Sequence, residues 1–538
     1  MKRTVWIVAL VFVLLLSACT SSQELARQTE SATTPPPTST APPPATATPS
    51  ASTLAPSSNA AQVWLHSPLG VAFGPTAMEG ARGQIEGFVD YIHGLGVPRT
   101  KVSFYWSQLE PQPGRYDFRD LDAYLDQLGP DDRALLNLFT DGWCTTGKEV
   151  NSRKGAPLRA CPEGEADCTK SCEAYYREFV TRVAEEVRDH AHGGIRYMQR
   201  DTEPASAHHF PADSPQAFVE LQHIFYQAVK NVLPDVLVIG VNHNGNFSAH
   251  DMGEPLSADF FDYVLQHGKD DFDLLDIRLY GDLYAIPHRV EWFRKRMAQY
   301  GYQKPIVSTE YGGVDPRTLH DGRAYLFMDQ LRQIEAQSQN RNGGEPQGGI
   351  RAWARAHPDQ VHPKLRPFFG AETDEERLQY EHLHCYDIVQ RSIVALGEGV
   401  QALWWWNLQS PGVDPIFGQM RLRTPQMEEL PGYACYRRFA GHMGNATKVT
   451  RIDAGDDTLY LYRIEREDRP DLFIAWHHTD RLDIYDDAAE PPVSVSLPIP
   501  FDQATLTDAL GNPVQGSLTD GQLTLALSAA PVFIEPAP

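Results

Sequence analysis

The sequence predicts an α/β protein: a (β/α)8 TIM barrel followed by a small C-terminal antiparallel β-sandwich. Strand-like and helix-like segments alternate from about Leu69 to Asn407, eight strand candidates fall in that span, and short alternating runs broken by Asp, Gly and Pro fill the remainder. The candidate strands are Leu69–Gly74, Lys101–Trp106, Arg133–Phe139, Ile195–Arg200, Val236–Val241, Leu274–Tyr280, Pro305–Glu310 and Val400–Trp406. No Gly-x-Gly-x-x-Gly turn follows the first of them, which disfavours an open dinucleotide-binding sheet and favours a closed barrel.

In chain order, the first segment is a charged start (Lys2, Arg3) and a 12-residue apolar run from Val5 to Leu16, then Ser17-Ala18-Cys19. Twelve apolar residues fall short of the ~20 that a bilayer span needs, so residues 1–19 read as a signal peptide. The Leu16-Ser17-Ala18-Cys19 ending resembles the bacterial lipobox. That resemblance implies cleavage before Cys19, lipidation of its thiol, and an exported protein anchored to the membrane; the alternative is a plain signal peptide with an incidental cysteine. Residues 20–60 hold eight prolines, many Ser, Thr and Ala, and no aromatic residue. They cannot bury enough apolar surface to offset the entropy of ordering, so a disordered spacer is expected, reaching up to roughly 100 Å at ~3.1 Å per residue.

Residues 61–440 are assigned to the barrel and 445–538 to the sandwich. With 42% hydrophobic residues the chain can bury a large core, and its net charge of −23 argues against a nucleic-acid partner or an electrostatic hold on anionic lipid. Neutral sugars meet no such penalty. Besides Cys19 there are six cysteines: Cys144, Cys161, Cys168, Cys172, Cys385 and Cys435. An even number in an exported chain favours disulfides, with the Cys144–Cys172 cluster stapling one long loop; zinc is disfavoured because no C-x-x-C pair occurs. The pairing is open at this point.

Helices are marked by caps and apolar faces. Ser214-Pro215 starts one, with serine as the expected cap and Phe218, Leu221, Phe225, Ala228 and Val232 on one face; Tyr176, Phe179, Val180, Val183 and Val187 mark another. The C-terminal strand runs are Leu459–Tyr462, Leu472–Trp476, Val493–Leu497, Leu523–Leu527 and Val532–Ile534. The long connection from Tyr311 to Glu381 is expected to wall one side of a cleft and so to favour attack at chain ends. The pairs His208-His209 and His477-His478 lack carboxylate or cysteine partners at ligand spacing, so no metal site is assigned and no cofactor is required.

Two carboxylates carry the functional reading. Glu-Pro occurs six times, so the dipeptide alone says little; position separates Glu203, after the fourth strand, from the rest, and Glu310 closes the seventh. In a parallel barrel both emerge on the C-terminal rim, where active sites are built. Paired carboxylates at one rim suit retaining glycoside hydrolysis, in which one protonates the leaving oxygen while the other attacks the anomeric carbon.

Four segments in order, Trp106-Ser107-Gln108-Leu109-Glu110-Pro111-Gln112-Pro113-Gly114-Arg115-Tyr116-Asp117-Phe118, Thr202-Glu203-Pro204, Thr309-Glu310-Tyr311-Gly312 and Trp404-Trp405-Trp406, resemble the clan of retaining (β/α)8 glycoside hydrolases that includes families 5, 39 and 42. The resemblance covers roughly Leu69 to Asn407. It implies Glu203 as general acid/base, Glu310 as nucleophile some 5 to 5.5 Å away, Tyr280 as a hydrogen-bond donor to the nucleophile, and Trp406 as the floor of the sugar subsite. Strand alternation puts Trp404 and Trp406 on one side and Trp405 on the other. Trp143, Asn242 and His243 stand where substrate contacts arise. One departure is plain: the clan's acid/base follows an asparagine, and here that residue is Thr202, so the 2-hydroxyl contact runs through water, the sugar differs, or catalysis is lost. The expected activity is hydrolysis of a β-linked oligo- or polysaccharide. The rivals are a non-catalytic carbohydrate-binding lipoprotein using the same cleft and a two-lobed solute-binding lipoprotein.

Overall fold

The computed structural model describes residues 67–537, apart from 74–84, 86, 147–154, 163–167, 206–209, 244–256, 317–326, 328, 335, 337–345, 410–414 and 479–490. The expectations for Cys19, the leader, the 20–60 spacer and His208-His209 lie outside the described residues.

Strands β1 Leu69–Ala72, β2 Arg99–Tyr105, β3 Ala134–Phe139, β4 Ile195–Arg200, β5 Leu237–His243, β6 Leu274–Ile277, β7 Ile306–Tyr311 and β8 Val400–Trp405 form a closed parallel barrel in sequence order. Closure is direct, with Leu69 opposite Leu403 and Gly70 opposite Trp404. A single closed barrel is incompatible with two hinged lobes. Because helices cover the outside, β1, β3 and β8 are buried on both faces and read as near-continuous apolar runs.

The helices are α1 Phe88–His93, α2 Trp106–Leu109, α3 Arg119–Leu125, α4 Cys172–His190, α5 Pro215–Val232, α6 Ala258–His267, α7 Ile286–Gln299, α8 Pro346–Ala356, α9 Arg366–Phe369, α10 Asp374–Gly397 and α11 Pro431–Met443. Helix α4 buries Tyr176, Phe179, Val180, Val183 and Val187 as its periodicity requires, and Ser171 caps it by accepting from the Ala174 amide at 3.2 Å. In α5 the serine differs from expectation. Ser214 makes no capping bond and instead turns its hydroxyl to Asp213 at 3.2 Å, leaving Pro215 as the start signal. The inner face of α5 ends on Val229, with Val232 only partly covered.

Along each barrel strand, side chains two apart share a face, and alternate strands supply the side chains of each layer in the lumen. Leu135, Tyr197, Ile239, Leu274, Val307, Ala402 and Trp404 form an apolar cluster in the lumen. Arg99 seals it, donating to Tyr197 Oη at 2.6 Å and to the Ser67 carbonyl at 3.1 Å. Trp404 points inward, its indole donating to the Thr100 carbonyl at 3.0 Å, while Trp405 points outward and donates to the Met420 carbonyl at 2.8 Å. One step further along each strand the lumen turns polar.

Beyond the barrel, a five-stranded sheet (β13 Ala504–Asp508, β16 Val532–Pro536, β11 Leu472–His477, β10 Leu459–Arg466, β9 Ala446–Ile452) faces a three-stranded one (β12 Val493–Pro498, β15 Gln522–Leu527, β14 Gly516–Thr519). Three of these strands, β9, β13 and β14, were not foreseen. Strand alternation divides β10: Leu459 and Leu461 fill the core between the sheets, whereas Tyr462 and Ile464 belong to the same core as the barrel helices. Three disulfides, Cys144–Cys172, Cys161–Cys168 and Cys385–Cys435, resolve the open pairing. The last joins α10 to α11, and the first two staple the loop after β3.

The described residues of the long connection after β7 include the helices α8 and α9 and the start of α10. Residues of α8, α9 and α10, including Ile350, Trp353, Phe368, Phe369 and Tyr380, form a second apolar cluster that contains Tyr280 and Met420 and against which Trp406 and Phe417 pack. The insertion therefore reaches the rim where Glu310 emerges.

Candidate active site

The chain leaves β4 under constraint. Asp201, Glu203 and Ala205 have φ of 51°, 45° and 62°, and at the end of β5 Val241 and Asn242 have φ of 69° and 53°. Such conformations are disfavoured for residues with a Cβ and cluster where surrounding structure overrides local preference, typically at functional sites. Asp201 supplies part of that override: fully buried, it accepts from the Thr140 amide at 2.6 Å and pairs with Arg200. Glu203 is thereby carried three residues beyond the end of β4 to the rim, with its side chain 24% exposed.

Glu310 arrives differently, as the penultimate residue of β7 itself, and its side chain is only 10% exposed. Lys101, from the middle of β2, donates to Oε1 at 2.7 Å, and Tyr280 donates its hydroxyl to Oε2 at 3.3 Å. Burial, reinforced by Glu310 and Glu203, pushes the Tyr280 phenol well above its ordinary value, so it stays a protonated donor. The backbone around Tyr280 is itself clamped: Arg289 donates to its carbonyl, and Arg391, paired with Asp387 at 2.8 Å, donates to the Leu279 carbonyl at 2.9 Å. Here the Gly312-Gly313 pair gains its reason. A Cβ on Gly313 would stand 2.2 Å from Arg391 and 2.3 Å from Asp387, and one on Gly312 3.0 Å from Met420 Sδ and the Trp406 carbonyl.

Arg278 joins the two carboxylates. Fully buried, it contacts Asp276, donates to Thr309 Oγ1 at 2.7 Å and to Thr202, and lies 3.2 Å from Glu310 and 3.8 Å from Glu203. Burial works against its charge, but Asp276, Glu310 and Glu203 outweigh that cost and hold the guanidinium more firmly protonated than usual. Glu203 and Glu310 thus share one neighbouring cation. Beneath it, Thr309 donates its amide to Asp276 at 2.7 Å, and Gln199 donates to Asp276 at 2.9 Å and to Asn242 at 2.7 Å.

Two expected substrate contacts are corrected. Asn242 is fully buried and braces β4, donating to the Arg200 carbonyl at 2.6 Å while accepting from Gln199. His243 points out of the barrel between the rings of Phe261 and Phe293, at centroid distances of 4.5 and 5.1 Å, where burial lowers its pKa well below the usual histidine value and keeps it neutral. Neither can reach a sugar in the cleft. Trp143 stands on the stapled loop, half-buried edge-on to Tyr175 at 5.0 Å, and Trp406 is half-buried beside the helical insertion. Thr202 is buried with its hydroxyl accepting from Arg278, so its own proton remains for a further acceptor.

Lys101, Asp276 and Arg278 were missed in the sequence. Their signal was a charged residue at an inward position of a barrel strand, as in Arg99-Thr100-Lys101-Val102-Ser103 and Leu274-Leu275-Asp276-Ile277-Arg278.

No protein-family model and no curated protein sequence matches the chain. Solved structures do share its fold. A family 39 glycoside hydrolase from Bacteroides cellulosilyticus WH2 superposes with a TM-score of 0.55 at 15% identity, over 87% of this chain and 81% of that one. A glucosidase from Croceicoccus marinus gives 0.51 at 13% identity over 86% and 94%, and a monomeric β-xylosidase from Caulobacter crescentus CB15 gives 0.50 at 13% over 87% and 96%. At these identities the likeness concerns the architecture, a barrel with companion β-sheets.

Proposed function

We propose that this chain is a retaining O-glycoside hydrolase acting on a β-linked glycan by double displacement, with Glu203 as acid/base and Glu310 as nucleophile. The observation that carries this reading is the pair of carboxylates at one barrel rim around the Arg278 guanidinium, with the Tyr280 hydroxyl on Glu310. Their environments differ in the direction the chemistry needs. Glu310 is enclosed by Lys101, Arg278 and Tyr280, which favours the anionic nucleophile; Glu203 is the more exposed, where it can meet a leaving group and then water. The glycoside hydrolases that share the fold support the same class.

In the first step Glu310 bonds to the anomeric carbon as the glycosidic C–O bond breaks, and the Glu203 proton passes to the leaving oxygen. In the second, water attacks that carbon, its proton goes to Glu203, and Glu310 departs as carboxylate. The insertion after β7, packed against Tyr280 and Trp406, supports a walled site and attack at chain ends. Glu310→Gln should abolish hydrolysis across a panel of aryl β-glycosides; unchanged turnover removes Glu310 from the mechanism. Release of long internal oligosaccharides from a polymer would overturn the chain-end assignment.

A second reading, sugar binding without turnover, is favoured by Thr202 alone, and oligosaccharide binding with no hydrolysis by the unaltered protein would establish it. We further propose that Cys19 is lipidated and tethers the domain to the bacterial membrane or cell surface through the 20–60 spacer. Loss of metabolic palmitate labelling in Cys19→Ala would support this; unchanged labelling would refute it.

A further inference from the structure

We infer that Arg278 is the positioning residue of this site: a single buried guanidinium that lies against both carboxylates and stabilises the negative charge as it moves between them. The inference rests on the glycosidase reading above. Its three nitrogens divide the surroundings. Nη1 contacts Asp276 and donates to Thr309 at 2.7 Å; Nη2 contacts Thr202 and lies 3.2 Å from Glu310. Nε is buried, has no hydrogen-bond acceptor among the described residues, and stands 3.8 Å from Glu203. The donor left over thus faces the proposed acid/base.

The reaction explains why one cation should touch both acids. Before the first step the charge is on Glu310 and Glu203 carries a proton. After it, Glu310 is a neutral ester and Glu203 a carboxylate; the second step reverses this. The negative charge shifts from beside Nη2 to beside Nε and back while the total is unchanged. A fixed guanidinium in reach of both stabilises both arrangements without reorganisation, and in a buried site such a preoriented charge is worth far more than in water. A short rotation of Glu203 would let Nε–H close on it as it becomes anionic. Lys101 cannot substitute, since its ammonium is committed to Glu310 at 2.7 Å and Thr309 at 3.2 Å.

The groups facing Arg278 are Asp276 and Tyr280 from β6 and the segment after it, Glu203 after β4, and Glu310 on β7; Lys101 on β2 and His243 on β5 also feel its field. Only the two glutamates exchange charge in the proposed cycle. The rate should fall below the pKa of Glu310 and above that of Glu203, giving a bell whose limbs belong to the coupled pair.

The test is Arg278→Gln, with Arg278→Lys and the charge-balanced Asp276→Asn/Arg278→Gln as companions in case the buried Asp276 prevents folding. Removing the cation should lower kcat/KM by about 10²-fold and move both limbs to higher pH by about one unit. Arg278→Lys should bring the limbs back toward their original positions with kcat still depressed, because one ammonium cannot serve three carboxylates and two hydroxyls. A purely structural role would lower the rate and leave the limbs in place, and that result overturns the inference. Titration of ¹³C-carboxyl-labelled glutamate, with the two signals identified by their loss in Glu203→Gln and Glu310→Gln, reads the same effect without turnover. Both signals should move in the folded Arg278 variants; movement of one or neither overturns the inference. If the unaltered protein hydrolyses no glycoside, the proposed function fails and the titration still decides Arg278.

Discussion

Lys101 Nζ lies 2.7 Å from Glu310 Oε1 in the upper lumen, both side chains nearly sealed from water. A buried ion pair of this kind adds little over an apolar pair, but removing one partner strands the other. Lys101→Met should therefore cost about 3 kcal/mol of unfolding free energy, and Lys101→Met/Glu310→Gln should recover much of it. Denaturant unfolding of the two singles and the double measures the coupling; additive losses would show that the pair does not act as a unit.

The two glutamates should separate by leaving group. Glu203→Ala removes proton donation, so its effect should be large for aryl glycosides with poor leaving groups and small for those with acidic phenols, which depart without help. Glu310→Gln should fail with both. A kcat/KM series against leaving-group pKa makes the comparison, and equal losses for Glu203→Ala across the series would deny it the acid role.

Glu110 also precedes proline at the end of a barrel segment, yet it is structural. Buried, it accepts from the Trp106 indole at 2.7 Å and from the Gly114 amide at 2.7 Å, folding the turn after α2 upon itself. Trp106 in turn stacks on Phe179 of α4 at 5.3 Å. Glu110→Ala should lose about 2 kcal/mol, the cost of two buried donors left unmet, and keep its substrate affinity. An altered KM in a variant of normal stability would contradict this assignment.

The contrast between Glu110 and Glu203 shows how the fold could be read more fully than the site. Apolar runs bounded by turns fix strands and helices because both barrel faces are buried, and a shift of one residue at an end changes little. Which way a rim side chain points depends on the pleat continuing unbroken. At the end of β5 it does not. Pairing with β6 shifts register between Gly240 and His243, and Val241 and Asn242 are left-handed, so counting by twos from the strand interior misplaces Asn242 and His243. The charges of Lys101 and Arg278 were visible, but only closure of the barrel aims them at one residue, Glu310, more than 200 positions from the first and more than 30 from the second. Thr202 by itself left a water-mediated contact, a different sugar and lost catalysis all open; next to Arg278 it is one end of a polar bridge.

The last prediction concerns how the sandwich is held. Glu535 on β16 bonds His442 of α11 at 3.2 Å and Arg466 of β10 at 2.7 Å. The His442 hydrogen bond leads, ahead of the opposing burial, and with Arg466 it lowers the carboxyl from 4.5 to about 2. Because the folded value lies below the unfolded one, the unfolded chain takes up protons first as pH falls. The stabilisation is full above pH 4.5 and disappears as pH falls toward about 2. Glu535→Gln should accordingly be less stable than the parent at pH 6, by about 1 kcal/mol after allowance for solvent screening, and the two should converge near pH 2. Thermal or denaturant unfolding across that range measures the gap. A gap that persists unchanged at the acid end would assign the loss to packing at the barrel–sandwich junction instead of to the charge of Glu535.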